Sequence, residues 1–186
     1  MTGGRIKITT PLSDEAIRRL AAGDAVSLSG VIYTARDAAH AKLMEMISRK
    51  EETPFRFEGA AVYYAGPAPP RPGCPIGSAG PTTSGRMDAY APALIKMGLK
   101  VMIGKGLRSE AVREAIVEYG GLYLAAAGGA GALIARSVKS SEVIAFPDLG
   151  TEAIRRLEVE DFPAIVAMDS RGVDIYAREQ RNVSSA

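Results

Sequence analysis

The sequence predicts an α/β fold with a largely parallel central sheet, and three observations lead there. Apolar, strand-like runs alternate with segments of helical period through the middle of the chain. Glycines and prolines collect between those segments, and no repeat of 20–50 residues is present. The length of 186 residues fits one domain over residues 1–186, with the polar end 178–186 expected to be a flexible tail.

Taken in order, residues 12–20 read as a short helix capped by Ser13, with Asp14 and Glu15 in its first turn and Gly23 just beyond its end. Residues 25–34 (AVSLSGVIYT) read as a strand. They run into a helix over 36–49, where His40, Leu43, Met44 and Ile47 fall on one face. Residues 60–65 form a short buried strand, and residues 66–80, with five prolines and four glycines, must be irregular. Helical period returns at Met87, Tyr90, Ala91 and Leu94. A strand at 100–103 and a helix carrying Val112, Ala115, Ile116 and Tyr119 follow. Residues 122–127 read as a strand and 132–138 as a helix; 142–146, 164–168 and 173–176 are late strands, the last two joined by a DSRG hairpin turn at Asp169.

Composition narrows the function. Hydrophobic residues make up 47% and charged residues 24%, enough for a real core. With 23 basic and 21 acidic residues, the charge balance gives no reason to expect nucleic acid or an anionic membrane as partner. A single cysteine, Cys74, and a single histidine, His40, cannot supply a Cys-rich zinc site, a two-His site or the thiolates of an iron-sulfur cluster, so no metal is expected on this chain. One cysteine excludes an internal disulfide, and the opening MTGGRIKITT lacks a secretory pattern; a cytoplasmic setting is expected. The longest weakly polar run, 119–135, contains five glycines and is shorter than the roughly 20 residues of a membrane span.

Ligands of open α/β sheets bind beyond the carboxyl ends of the strands, so the strand-to-helix junctions hold the candidates. At the first, Thr34 to Asp37 matches a capping box and puts Arg36 in a helix's first turn. A cation there opposes the helix dipole, which points either to a bound anion or to a neighbouring carboxylate. The second, Gly80-Pro81-Thr82-Thr83-Ser84-Gly85-Arg86-Met87-Asp88, has the glycine spacing of a phosphate loop. Arg86 and Met87 replace its Lys and hydroxyl, and Pro81 removes a donor, which excludes nucleotide hydrolysis. A carboxylate site or simple hydroxyl capping remains. The third, Ile103-Gly104-Lys105-Gly106, places a lysine where backbone can approach a ligand. On a parallel sheet Arg36, Arg86 and Lys105 would share one edge, a set suited to a small dicarboxylate. Gly128, Gly129 and Gly131 lack the full GxGxxG, and Asp148 and Glu152 read as capping or pairing near Thr151. His40 reads as a packed or supporting histidine, and Cys74 as incidental.

The strings ARDAAH (35–40), GPTTSGRMD (80–88), IGKG (103–106) and DLGTEAIRRLEVEDFPAIVAMD (148–169) together resemble the β subunit, or C-terminal domain, of class I iron-sulfur hydro-lyases, the fumarase and L-tartrate dehydratase family. The likeness runs from about Lys7 to Tyr176. It implies a swivelling β/β/α domain that closes over a cluster-bearing α subunit in a hetero-oligomer, the [4Fe-4S] cluster being held by that partner. It also implies Arg36, Arg86 and Lys105 as carboxylate binders and Thr82 as the catalytic hydroxyl, with Thr83 able to exchange that role and Asp37 and His40 in support. The implied reaction is reversible hydration of fumarate to L-malate; L-tartrate or mesaconate as substrate, and a non-catalytic dicarboxylate-binding regulatory subunit, are the alternatives.

Overall fold

The computed structural model describes residues 4–126 and 131–177. Seven strands form one mixed sheet: β1 (Ile6–Thr9), β2 (Ala25–Thr34), β3 (Ala61–Tyr63), β4 (Val101–Gly104), β5 (Leu122–Ala125), β6 (Val138–Ala145) and β7 (Ile154–Met168). Their order is β1-β2-β3-β4-β5-β7-β6, with β7 also paired to β2. Neighbours from β1 through β5 are parallel, and the pairings of β7 with β2, β5 and β6 are antiparallel.

The 15-residue β7 shapes the molecule. It follows β2 from Ala25 opposite Ile165 to Thr34 opposite Arg155, and its far end turns to β5, where Leu124 faces Val166. Strands β2, β3, β4, β5 and β7 therefore close on one another, and β1 and β6 extend the ring. The long pair needs a bulge: register shifts between Leu28 and Gly30, where Gly30 has φ +102°. A Cβ at Gly30 would lie 2.6 Å from Thr10 Oγ1, so this position needs glycine for both conformation and space.

Period-two alternation divides the core. Ala61, Tyr63, Val101, Ile103, Leu122 and Leu124 point to one apolar cluster with Phe162 and Val166. Val62, Tyr64, Met102 and Tyr123, on the other face, meet the helices. These helices are α2 (Asp37–Ser48), α3 (Ala91–Lys96) and α4 (Glu110–Tyr119), while Ile17 of α1 (Asp14–Arg18) and Ile134 of α5 (Gly131–Ser137) join the first cluster. Leu43 of α2, Leu94 and Ile95 of α3, and Val112 and Ile116 of α4 are all buried there, each side chain stabilising the fold by about 1.5–3 kcal/mol.

Several expectations need correction. The strand at 6–9 was absent from the sequence reading; β1 is short and only Ile8 of its four residues is buried, which leaves almost no pattern to read. The late strands are longer than their apolar cores, because β7 carries charges at its outward positions. The expected strand at 173–176 reduces to one bridge between Met168 and Asp174, followed by a helical turn. The DSRG turn itself forms: the Gly172 N–H donates to the Asp169 carbonyl (2.9 Å) at φ +75°. Gly128, Gly129 and the tail 178–186 lie outside the described residues. No helix among the described residues is long and apolar enough to cross a membrane.

Candidate active site

The parallel strands β2 to β5 end level with one another: Thr34 lies opposite Tyr63, Tyr63 opposite Ile103, and Ile103 opposite Leu124. Arg36 and Lys105 each follow two residues past that line. The GPTTSGRMD segment reaches the same edge by another route. It returns from the Pro/Gly-rich connector and lies against the β4 turn, where Thr83 bridges Lys105 in parallel sense. The Thr82 N–H donates to the Tyr64 carbonyl (2.6 Å), the Ser84 N–H to the Lys105 carbonyl (2.8 Å), and the Lys105 N–H to the Thr82 carbonyl (3.3 Å). Gly104 makes this approach possible, because a Cβ there would lie 2.0 Å from Ser84 Oγ. The result places Arg36, Thr82, Thr83, Arg86 and Lys105 on one rim.

Details of the junctions differ from the sequence expectation. Thr34 does not cap α2; its hydroxyl accepts from the Arg155 N–H (3.1 Å), and Arg36 itself occupies the cap position without a side-chain cap bond. The cap comes from 114 residues away, where Glu152 Oε2 accepts from the Ala38 N–H (3.1 Å). Glu152 also pairs with Arg36 (3.3 Å), so the protein's own carboxylate faces that arginine, and the pairing alternative for Arg36 is the one observed. Glu152 therefore does cap and pair, but at α2 rather than beside Thr151. Asp148 pairs with Lys42 (2.6 Å). Arg86 stands at the end of a 3₁₀ turn, Ser84–Met87, rather than in a helix's first turn, since the following α3 starts only at Ala91. Its guanidinium grips Asp37 with Nε at 3.0 Å and a terminal nitrogen at 2.7 Å, which brings both arginines to the N-terminus of α2.

The remaining candidates separate by exposure. Thr82 is half-buried and Thr83 exposed. Lys105 is exposed, has no recorded ion-pair partner among the described residues, and borders a cleft of about 510 Å³ lined by Ala126, Leu133, Ile134, Ile165 and Tyr176. Arg36 and Arg86 lie outside that cleft. His40 is fully buried, its ring 5.4 Å from Tyr64 and 5.7 Å from Tyr90. Its Nδ1 lies 2.8 Å from the Arg36 carbonyl. A carbonyl only accepts, so the neutral ring carries its proton on Nδ1 and leaves Nε2 as a buried acceptor with no hydrogen-bond partner among the described residues. Burial pulls the His40 pKa down to about 4, reinforced by the Arg108 charge, so the imidazole is neutral at pH 7. Its ring holds the Arg36 carbonyl at the start of α2.

Sequence reading missed a buried layer beneath the rim. Arg108 is wholly enclosed and donates from Nε to Asp88 Oδ1 (2.6 Å), while Asp88 Oδ2 accepts the Ser109 N–H (2.5 Å). The arginine lies between the rings of Tyr64 (5.4 Å) and Tyr123 (5.0 Å). The signal available was spacing: Asp88 closes the GPTTSGRMD string, and Arg108 stands three residues after Lys105.

The donor set does not fit a metal or cluster. Cys74 is alone and exposed, and no group of three His, Cys, Asp or Glu residues among those described is placed to hold an ion. What the rim offers is cationic donors around a hydroxyl, a set that recognises carboxylates and stabilises negative charge.

This sheet is that of a mixed α/β domain with mostly parallel strands. The model of the Fumarase C-terminus family matches residues 2–179, and the chain belongs to that family. Among curated relatives, it is 46% identical over 153 residues, 81% of this chain and 28% of the relative, to the anaerobic class I fumarate hydratase of Escherichia coli. It is 40% identical over 98% of its length to the aerobic class I fumarate hydratase of Salmonella typhimurium, covering 32% of that protein. The chain thus spans about a third of the length of these relatives. A protein of Methanocaldococcus jannaschii, provisionally named L(+)-tartrate dehydratase subunit beta, matches at 41% identity over 92% of this chain and 91% of its own length.

Proposed function

We propose that this chain is the β subunit of a heteromeric hydro-lyase that interconverts fumarate and L-malate, its rim binding the substrate carboxylates. The observation that carries the reading is the convergence of Arg36, Arg86 and Lys105 around the Thr82–Ser84 segment at the carboxyl ends of the parallel strands. Lys105 is unpaired among the described residues, and Arg36 keeps a buried Nε without a partner. Both can take up a carboxylate without first breaking every existing contact. Arg86 is half-exposed with its Nε and one terminal nitrogen on Asp37, and its remaining N–H groups suit the second carboxylate.

In the dehydration direction a proton leaves the carbon next to a carboxylate, and charge grows on that carboxylate as it does so. Cations fixed beforehand stabilise that charge without reorganising. Thr82 is the group we assign to the proton transfer: its backbone is anchored on both sides, to Tyr64 and to Lys105, which fixes where the hydroxyl starts. Thr83 is more exposed and less suited to a site from which water is excluded. A cluster-bearing α subunit would complete the site, and a swivel of this domain onto it would make closure a condition of turnover. The cytoplasm is the proposed location.

A second reading, L-tartrate dehydration, is favoured by one observation: the relative of matching length carries a tartrate dehydratase name. Anaerobic purification of the chain with its partner, assayed on malate, L-tartrate and mesaconate, separates the two. The fumarate reading expects kcat/KM highest on malate and fumarate; a preference for tartrate replaces it with the second reading, and no turnover on any of the three removes both.

A further inference from the structure

A buried cation is costly, and a well-packed apolar side chain of the same volume often serves stability better. The presence of Arg108 therefore needs a reason beyond packing. Its contacts with Tyr64, Tyr123 and Asp88 lead to the rim. Tyr64, on one side of the guanidinium, offers the carbonyl that holds the Thr82 N–H. Tyr123, on the other, is hydrogen-bonded through its hydroxyl to Ser84 Oγ (3.0 Å) and to the Gly106 carbonyl (2.8 Å). Asp88, which takes the Nε–H, is two residues past Arg86 and also fixes the Ser109 N–H at the start of α4. One guanidinium thus touches the end of the first rim string at Asp88 and reaches the second, at Gly106, through Tyr123. A terminal nitrogen meets Met102 Sδ at 3.5 Å.

We propose that Arg108 is a positioning residue: through Asp88, Tyr64 and Tyr123 it sets the Thr82–Arg86 segment against the Lys105 turn and so fixes the placement of the Thr82 hydroxyl. The proposal builds on the hydro-lyase reading above. It does not require Arg108 to touch substrate, and its enclosure prevents that. Lysine at this position keeps the charge but loses the planar fork and its stacking, so it separates geometry from electrostatics.

The test uses Arg108→Lys and Asp88→Asn in the full chain assembled with its cluster-bearing partner. Misplacement by about 1 Å can cost roughly 10²-fold in rate, so Arg108→Lys is expected to lower kcat by about that factor while KM moves less than about threefold. In a Thr82→Ala background the same change should add little, because the group it positions is gone. Losses that multiply in the double variant overturn the proposal, as does a lowered melting temperature with kcat unchanged. A second readout is independent of substrate. Amide hydrogen exchange at Thr82, Ser84 and Lys105 should speed up at least about tenfold in either variant, with β2 unchanged. Unchanged exchange at those three amides overturns the proposal whatever the enzyme acts on. If the parent complex turns over no dicarboxylate, the hydro-lyase reading fails by itself and the exchange result decides the role of Arg108. Should Arg108→Lys not fold, Asp88→Asn, nearly unchanged in volume, carries both measurements.

Discussion

Lys105 and Arg108 stand three residues apart and occupy opposite surroundings. Lys105 is exposed on the rim and unpaired among the described residues, whereas Arg108 is enclosed, paired with Asp88 and set between two tyrosines. The same contrast separates the two layers. The rim holds cations whose partners, Glu152 and Asp37, come from other elements, and in the layer below the buried Arg108 is held by Asp88. Arg108 is shut off from solvent, whereas the rim cations reach it.

The contrast breaks most sharply if the buried pair is split. Arg108→Met leaves Asp88 without its cation and should destabilise the chain by about 3–5 kcal/mol, read from the urea midpoint. A loss near that of a surface substitution would place Arg108 with the rim. On the rim itself, Arg86→Ala should cost roughly 10²–10³-fold in kcat/KM on the preferred dicarboxylate, with the urea midpoint nearly unmoved.

His40 sharpens the comparison through pH. Its pKa of about 4 in the fold lies below the ordinary 6.5, so the unfolded chain binds the proton first as pH falls. The stabilisation is complete above about pH 6.5 and is lost between there and about pH 4, a total of roughly 3 kcal/mol at about 1.4 kcal/mol per unit. A melting curve measured from pH 7 to 4.5 should fall less steeply in His40→Asn than in the parent. Asp169 has the same ordering at lower pH. Burial alone would raise its pKa, but the Arg171 side chain and the N–H groups of Ala22, Val173 and Arg171 hold it below the usual carboxylate range. Its contribution is therefore present above about pH 4 and lost only in stronger acid. The smallest effect belongs to Lys105→Ala, which should change stability by less than about 0.5 kcal/mol while raising KM about tenfold.

Much of the parallel half was legible because its signals are local. The strand expected at 25–34 is β2 residue for residue, and the face of Val112, Ala115 and Ile116 is the buried face of α4. The antiparallel half was harder. Leu157 and Val159 alternate with Glu158 and Glu160, a strand pattern, but the charges around them masked its apolar content. At the site, placing Arg36 and Lys105 beyond strand ends needs only local order. Glu152 on Arg36, Asp37 on Arg86 and Asp88 on Arg108 join residues 20 to 116 positions apart, and no periodicity encodes such partners. Arg86 reaches the rim through an irregular, proline-rich connector, and only the tight packing of Ser84 on Gly104 shows where that segment lands.

Whether the rim performs chemistry on a dicarboxylate is decided by kcat for malate dehydration in the anaerobically assembled complex, with and without Thr82→Ala. Turnover is expected in the parent and a loss of at least about 10²-fold in the variant, with KM changed by less than about threefold. Equal kcat in the two proteins would contradict a chemical role for the rim.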